Sequence, residues 1–116
     1  MKKAEYYLNT VGGVKNRKYP KVSGFVEAVA DNKGYGILMI GYDKRSDGFW
    51  RATELNTGFM VSEGAFQTKK MCADNVHGNI DIIVDIYNRR MMDSKYYNDW
   101  IKPFEDFVNA NGGFVR

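Results

Sequence analysis

The sequence predicts an α+β fold: a four-stranded antiparallel meander packed against two C-terminal helices as a two-layer sandwich. Three observations predict it. Between Val22 and Ser62, four short runs of strand-forming residues are separated by turns bearing Gly, Asn or Asp. After Thr68 the apolar residues recur at a helical period instead. An amphipathic helix face and an open sheet face also each need a cover, and a two-layer arrangement lets them cover one another.

The elements are justified in order. Residues 1–21 give the weakest pattern. Ala4 to Leu8 fits one helical turn or the start of a strand, and Lys15 to Lys21 reads as a mobile basic loop. Val22 to Ala30 reads as a strand with a bulge at Gly24, and Asp31-Asn32-Lys33-Gly34 as a turn. Tyr35 to Tyr42 (YGILMIGY) is an apolar run short enough for a central strand. A polar loop, Asp43 to Gly48, leads into a hairpin of Phe49–Glu54 and Phe59–Ser62 around Asn56-Thr57-Gly58.

Thr68 is placed to cap a long helix. Wound at 100° per residue, Cys72, Ala73, Val76, Ile80, Ile83, Val84 and Tyr87 share one face, and Asp74, Asp81, Asp85 and Asn88 the opposite one. One period spans both sides of Gly78, which favours a continuous helix. The rival is a break there followed by a strand, since Ile80-Asp81-Ile82 and Val84-Asp85-Ile86 also alternate. Ser94 then opens a second helix carrying Tyr97, Trp100, Ile101, Phe104, Phe107 and Val108. Pro103 either kinks that helix or starts a new turn near Ile101. The expected organisation is one domain over 1–116: an N-terminal segment (1–21, partly mobile), the meander (22–64) and a helical layer (68–110).

Composition bounds the function. One cysteine, Cys72, cannot form an internal disulfide and suits a reducing cytoplasm. No run approaches the roughly 18 apolar residues that span a bilayer, and MKKAEYYLNT lacks a signal-peptide core. The expectation is a cytoplasmic protein with no membrane partner. Residues 1–73 hold 12 Lys/Arg against 7 Asp/Glu, a balance of +5, whereas residues 74–116 hold 5 against 7, or −2. A positive side and a mildly negative side follow.

Catalytic signals are thin. His77 is the one histidine, so His pairs and most His-based triads lack support, and Cys72 lies on the apolar helix face. One Cys and one His five positions apart do not make a metal site. Neither phosphate-loop nor dinucleotide glycine patterns occur. No enzyme, metal or cofactor is expected.

Binding signals are stronger. Lys15, Arg17, Lys18, Lys21, Lys44, Arg45, Lys69 and Lys70 can converge near the helix N-terminus, an end that already favours anions. The aromatic share of 15% exceeds what one small core absorbs, so Tyr35, Tyr42 and Trp50 are candidate partner contacts. A homodimer across the open sheet face is left open beside them.

The order strand, Asp47-Gly48, strand, Glu54-Leu55 with Gly58, strand, Gly64, then Thr68 opening a helix resembles the HicB-like antitoxin domain over residues 35 to 77. The chain departs from that pattern: two residues separate Leu55 from Gly58 where the family has one Pro, and three separate Gly64 from Thr68. No DNA-binding segment follows. The resemblance implies a protein that binds and blocks another protein, such as a nuclease. Thr68-Lys69-Lys70 opening a helix after a meander also looks like a double-stranded-RNA-binding domain, whose lysines there meet phosphates. In size, aromatic content and lack of a catalytic signature, the chain is similar to phage and mobile-element accessory proteins of the anti-CRISPR kind. The first expectation is therefore a non-catalytic inhibitor of a nuclease or other nucleic-acid-bound complex. The second is a small RNA- or DNA-binding domain using the basic cluster.

Overall fold

The computed structural model describes residues 1–10, 18–62 and 64–114; Lys15 and Arg17 of the expected basic cluster lie outside them. Strands β1 (Lys2–Tyr7), β2 (Lys21–Ala30), β3 (Ile37–Lys44) and β4 (Trp50–Glu54) form one antiparallel sheet in the order β1-β2-β3-β4. Helices α1 (Lys69–Gly78) and α2 (Ile80–Met92) follow. After them come a single turn α3 (Ser94–Tyr96), a π-helical turn (Tyr97–Ile101) and α4 (Lys102–Ala110). The four-stranded α+β meander is present, with one member exchanged.

That exchange has a local cause. Lys2–Tyr7 is a full strand, paired with β2 from Lys2↔Val26 to Tyr7↔Lys21 in a register that runs unbroken through Ala4↔Gly24, so Gly24 forms no bulge. Phe59–Ser62 is not one and touches β4 through an isolated bridge, Thr53↔Met60. Gly58 turns the chain with φ 71°, and the Ser62 hydroxyl accepts the Ala52 N–H (2.9 Å) where a partner strand would offer a carbonyl. The ladder never becomes regular.

Strand alternation sorts the sheet into two faces. One presents Val29, Leu38, Ile40, Tyr42 and Ala52 to Cys72, Ala73 and Val76 of α1 and to Ile80, Ile83 and Val84 of α2, forming the larger core. The other face, which the sequence reading leaves open for a homodimer, is largely filled from within the chain. Ala4, Tyr6, Leu8, Val26 and Leu55 pack there. Tyr6 lies flat across it, and a Cβ on Gly41 would stand only 2.5 Å from the Tyr6 ring. Its hydroxyl donates to Asp43 Oδ1 (3.3 Å), and Asp43 in turn receives Arg51 Nε and Nη2.

The sheet is coiled enough to bring its opposite edges together. Asn9, just past β1, donates its N–H to Gly58 O (2.8 Å), beyond β4. Its side-chain Nδ2 donates to Thr57 O and Trp100 O, both at 3.0 Å. Asn9 thereby ties three segments at one corner. α4 seals that corner: Phe104 and Asn9 both lie against Gly58, and Phe107 meets Tyr7 and Tyr19. α1 and α2 form the layer over the larger core, and α4 extends the helical layer at that corner, with Phe107 against Tyr7 of β1.

The long helix is divided, one residue after Gly78. Asn79 (φ −118°, ψ 14°) closes α1 by donating its N–H to Val76 O, and its side chain donates to Asn75 O (2.8 Å). Ile80 to Tyr87 is helical, so the strand alternative is set aside. Gly78 is exposed, keeps a negative φ, and a Cβ there would meet nothing within 4 Å. Gly78→Ala is expected to stabilise the protein by about 0.5–1 kcal/mol through the unfolded chain's lost freedom. A higher urea midpoint at unchanged denaturant slope would register it.

After α2, Asp93 rather than Ser94 is the cap, accepting from Tyr96 N at 3.0 Å. Pro103 falls in the first turn of α4 behind the π turn, where the wider winding removes the need for its missing N–H.

Candidate protein-binding surface around the second helix

Burying Ile80, Ile83 and Val84 against the sheet leaves a second apolar set on α2 in solvent. Ile82 is 60% exposed and Ile86 40%. They sit four residues apart and so share one stripe, with Asp85 and Arg89, which are paired with one another. Sequence reasoning passed over these two isoleucines because they fall off the buried arc. An i, i+4 apolar pair on the wet side of an amphipathic helix was the signal available.

A groove of about 260 Å³ runs along each flank of this ridge. The first lies toward the β2–β3 turn and is lined by Lys33, Tyr35, Asp81, Ile82, Asp85 and Asn88, among others. Its walls are fixed. Asp31 accepts the Tyr35 N–H (2.9 Å) and the Gly36 N–H, while Asp81 Oδ1 accepts the Asn32 N–H at 2.7 Å, pinning α2 to the turn. Tyr35, a predicted contact residue, is 72% exposed here.

The second groove lies between α2 and the 57–62 segment. Met60, Val61, Ile83 and Ile86 give it apolar walls, Glu54, Thr57 and Ser62 a polar floor, and Tyr87 and Arg90 a rim. Met60 is 58% exposed. Burial pushes the Glu54 carboxyl above its usual range, against the opposing pull of the Asn56 and Thr57 N–H groups it accepts. Asn56 Nδ2 donates to the Tyr87 hydroxyl (3.2 Å), and the Arg90 guanidinium lies over the Phe59 and Tyr96 rings at 5.4 and 5.5 Å. The main chain of the β2–β3 turn beside one groove, and the Glu54 and Tyr87 side chains lining the other, are thus held in place, which lowers the ordering cost of binding.

The remaining predicted contacts are scattered. Tyr42 is fully buried, with its hydroxyl donating to Glu27 (2.9 Å), and is unavailable to a partner. A central strand in a sheet covered by helices offers no outer surface at that position. Trp50 is half-buried against Phe25, whose ring carries Lys69 Nζ at 4.0 Å. Lys44 stands opposite Trp50 in the ladder, so Lys44, Lys69, Phe25 and Trp50 share a basic, aromatic corner beside the start of α1. Lys21 pairs with Glu5, Arg45 with Asp47 and Lys70 with Asp74. Lys18 is exposed.

His77 is joined to Glu27, which also accepts from Tyr42, so the one histidine ties α1 to β2. Neither groove is lined by these three residues. Among the described residues, no group of three or more His, Cys, Asp or Glu is placed to hold a metal ion. Nor is any helix among them long and apolar enough to cross a membrane. Burial raises the pKa of the Cys72 thiol, which keeps it protonated.

Burial likewise pushes the hydroxyls of Tyr6 and Tyr42 far above the ordinary tyrosine range, reinforced by the carboxylates of Asp43 and Glu27. Both folded-state pKa values exceed the unfolded one, about 10. The stability they contribute is whole below that pH and is lost as pH rises above it. At least these two of the eight tyrosines are expected to stay un-ionised until the protein unfolds. Tyrosinate absorbance and circular dichroism followed through one alkaline titration check this.

Comparison with protein-family models, with curated proteins and with solved structures finds no match to this chain.

Proposed function

We propose that this chain is a non-catalytic binding protein that inhibits or sequesters a nucleic-acid-processing protein through the surface around α2, in the manner of antitoxins and anti-CRISPR proteins. One observation carries the reading: Tyr35, Ile82, Ile86 and Met60, each at least 40% exposed, gather around a single helix between two preformed grooves. Exposed apolar residues that cluster in this way, with polar groups at their margin, favour a protein partner. Lys33, Asp81, Arg90 and the Asp85–Arg89 pair give this surface a rim of mixed charge around its apolar residues, the anatomy of a protein-binding patch. The reading places the protein in the cytoplasm, where its free thiol stays reduced.

The test is capture of partners from host lysate before and after nuclease treatment. The same partner retained in both, with its nucleic-acid-processing activity reduced in the complex, is the expected result. A partner lost on nuclease treatment contradicts it.

A second reading is favoured by the corner of Lys44, Lys69, Phe25 and Trp50, which pairs cations with half-exposed rings as single-strand binders do. It predicts direct nucleic-acid binding that falls steeply between low and physiological salt.

A further inference from the structure

We propose that two copies of this chain pair through the outer edge of β1, as antiparallel strands related by a two-fold axis at Ala4. The inference stands on the sheet's two unlike edges and is independent of the surface around α2.

The β4 edge is closed. Trp50 N–H donates to Phe66 O (2.8 Å), Ala52 N–H to Ser62 Oγ (2.9 Å) and Glu54 N–H to Phe59 O (3.0 Å), while Val61 N–H donates back to Ala52 O. The β1 edge is treated differently. Leu8 N–H donates to Pro20 O and Thr10 N–H to Lys18 O, so even-numbered residues turn their main-chain groups toward β2. Asn9 N–H points the other way, to Gly58 O. By the alternation of an antiparallel ladder, the N–H and C=O of Lys3 and Glu5 face outward. Among the described residues, no other segment reaches them, and both side chains are exposed.

The charges select the occupant and the register. Lysine on an edge strand usually wards off pairing, but here Lys3 and Glu5 alternate in sign along one edge. An axis at Lys3 would set lysine against lysine, and an axis at Glu5 would set glutamate against glutamate. An axis at Ala4 instead sets each Lys3 opposite the second copy's Glu5, twice, in pairs that exchange both main-chain bonds. Glu5 would then lie between that lysine and its own Lys21, 3.3 Å away. The small Ala4 lets the strands meet. At the other end of β1 the 57–58 turn ends the open edge, so the interface is short and the dimer weak.

The experiment is sedimentation equilibrium of the whole chain, tagged only at its C-terminus, from roughly 10 μM to 1 mM. The expected mass rises with concentration from that of one chain toward two. Lys3→Glu and Glu5→Lys each bring like charges together and are expected to weaken dimerisation at least tenfold. The double exchange Lys3→Glu/Glu5→Lys restores it. Both sites are exposed, and far-ultraviolet circular dichroism verifies that each variant is folded. A one-chain mass throughout, or a dimer that the single exchanges leave unchanged, overturns the proposal. Loss of the dimer with Ile82→Lys while Lys3→Glu leaves it unchanged does so as well.

Discussion

Replacing Arg51 with alanine is expected to destabilise the protein by about 3 kcal/mol, the low end of the loss when one partner of a buried ion pair is removed, since Asp43 is buried while the Arg51 side chain keeps 26% of its surface exposed. Asp43 is only 3% exposed, and Arg51 grips it through Nε (2.9 Å) and Nη2 (2.8 Å). The hydrogen bond to Asp43 accordingly raises the already high pKa of the guanidinium. Without Arg51 the carboxylate remains buried with one neutral donor, the Tyr6 hydroxyl. Most of the cost is this stranded charge, not the lost attraction. A double variant, Asp43→Asn/Arg51→Met, removes the charge, keeps an acceptor for the Tyr6 hydroxyl and fills the space of the arginine stem. It is expected to recover more than half of the loss in urea unfolding. Equal instability of the single and double variants would mean that packing, not charge, sets the cost.

Phe104→Ala is expected to cost as much or more, about 3–5 kcal/mol, through the cavity left by a fully buried ring. Phe104 has no exposed surface. It fills the corner where the coiled sheet meets α4, stacking edge-on to Tyr19 at 5.5 Å and lying against Gly58. Gly58 (φ 71°) has no Cβ, and one placed there would stand 2.5 Å from the ring. Backbone and side chain are so closely matched that neighbours cannot collapse into the void. Phe107→Ala, at a half-buried ring on the adjacent turn, is the control and should cost clearly less in the same unfolding assay.

These two sites mark where the sequence was legible and where it was not. The turn at Asp47-Gly48, the Thr68 cap and the buried arc from Cys72 to Val84 are local signals, and each stands as read: Thr68 Oγ1 accepts the Met71 N–H at 3.1 Å. β1 was obscure because KKAEYY carries only two residues that end up buried, Ala4 and Tyr6, and Tyr6 owes its burial to glycines far along the chain. The sheet's coiling was invisible because it depends on Asn9 reaching Thr57 and Trp100, 48 and 91 residues away. Phe59–Ser62 reads as a strand by composition, yet Gly58 and the Ser62 hydroxyl spoil the ladder. Of the surface around α2, Tyr35 was legible as an aromatic surplus to the core. Ile82 and Ile86 were not, since a periodicity argument rewards residues on the buried arc and ignores those off it. Tyr42 misled for the converse reason: an aromatic in a central strand is core material first.

The most direct measurement compares Ile82→Lys/Ile86→Lys with the unmodified chain in two assays, thermal unfolding and affinity for the captured partner. Lysine is the better helix former and both positions are exposed, so stability is expected to stay within about 0.5 kcal/mol. Affinity is expected to fall at least a hundredfold, since ridge residues of this kind act as anchors. Undiminished affinity in the folded double variant would contradict the account, and the partner surface would then lie elsewhere on the molecule.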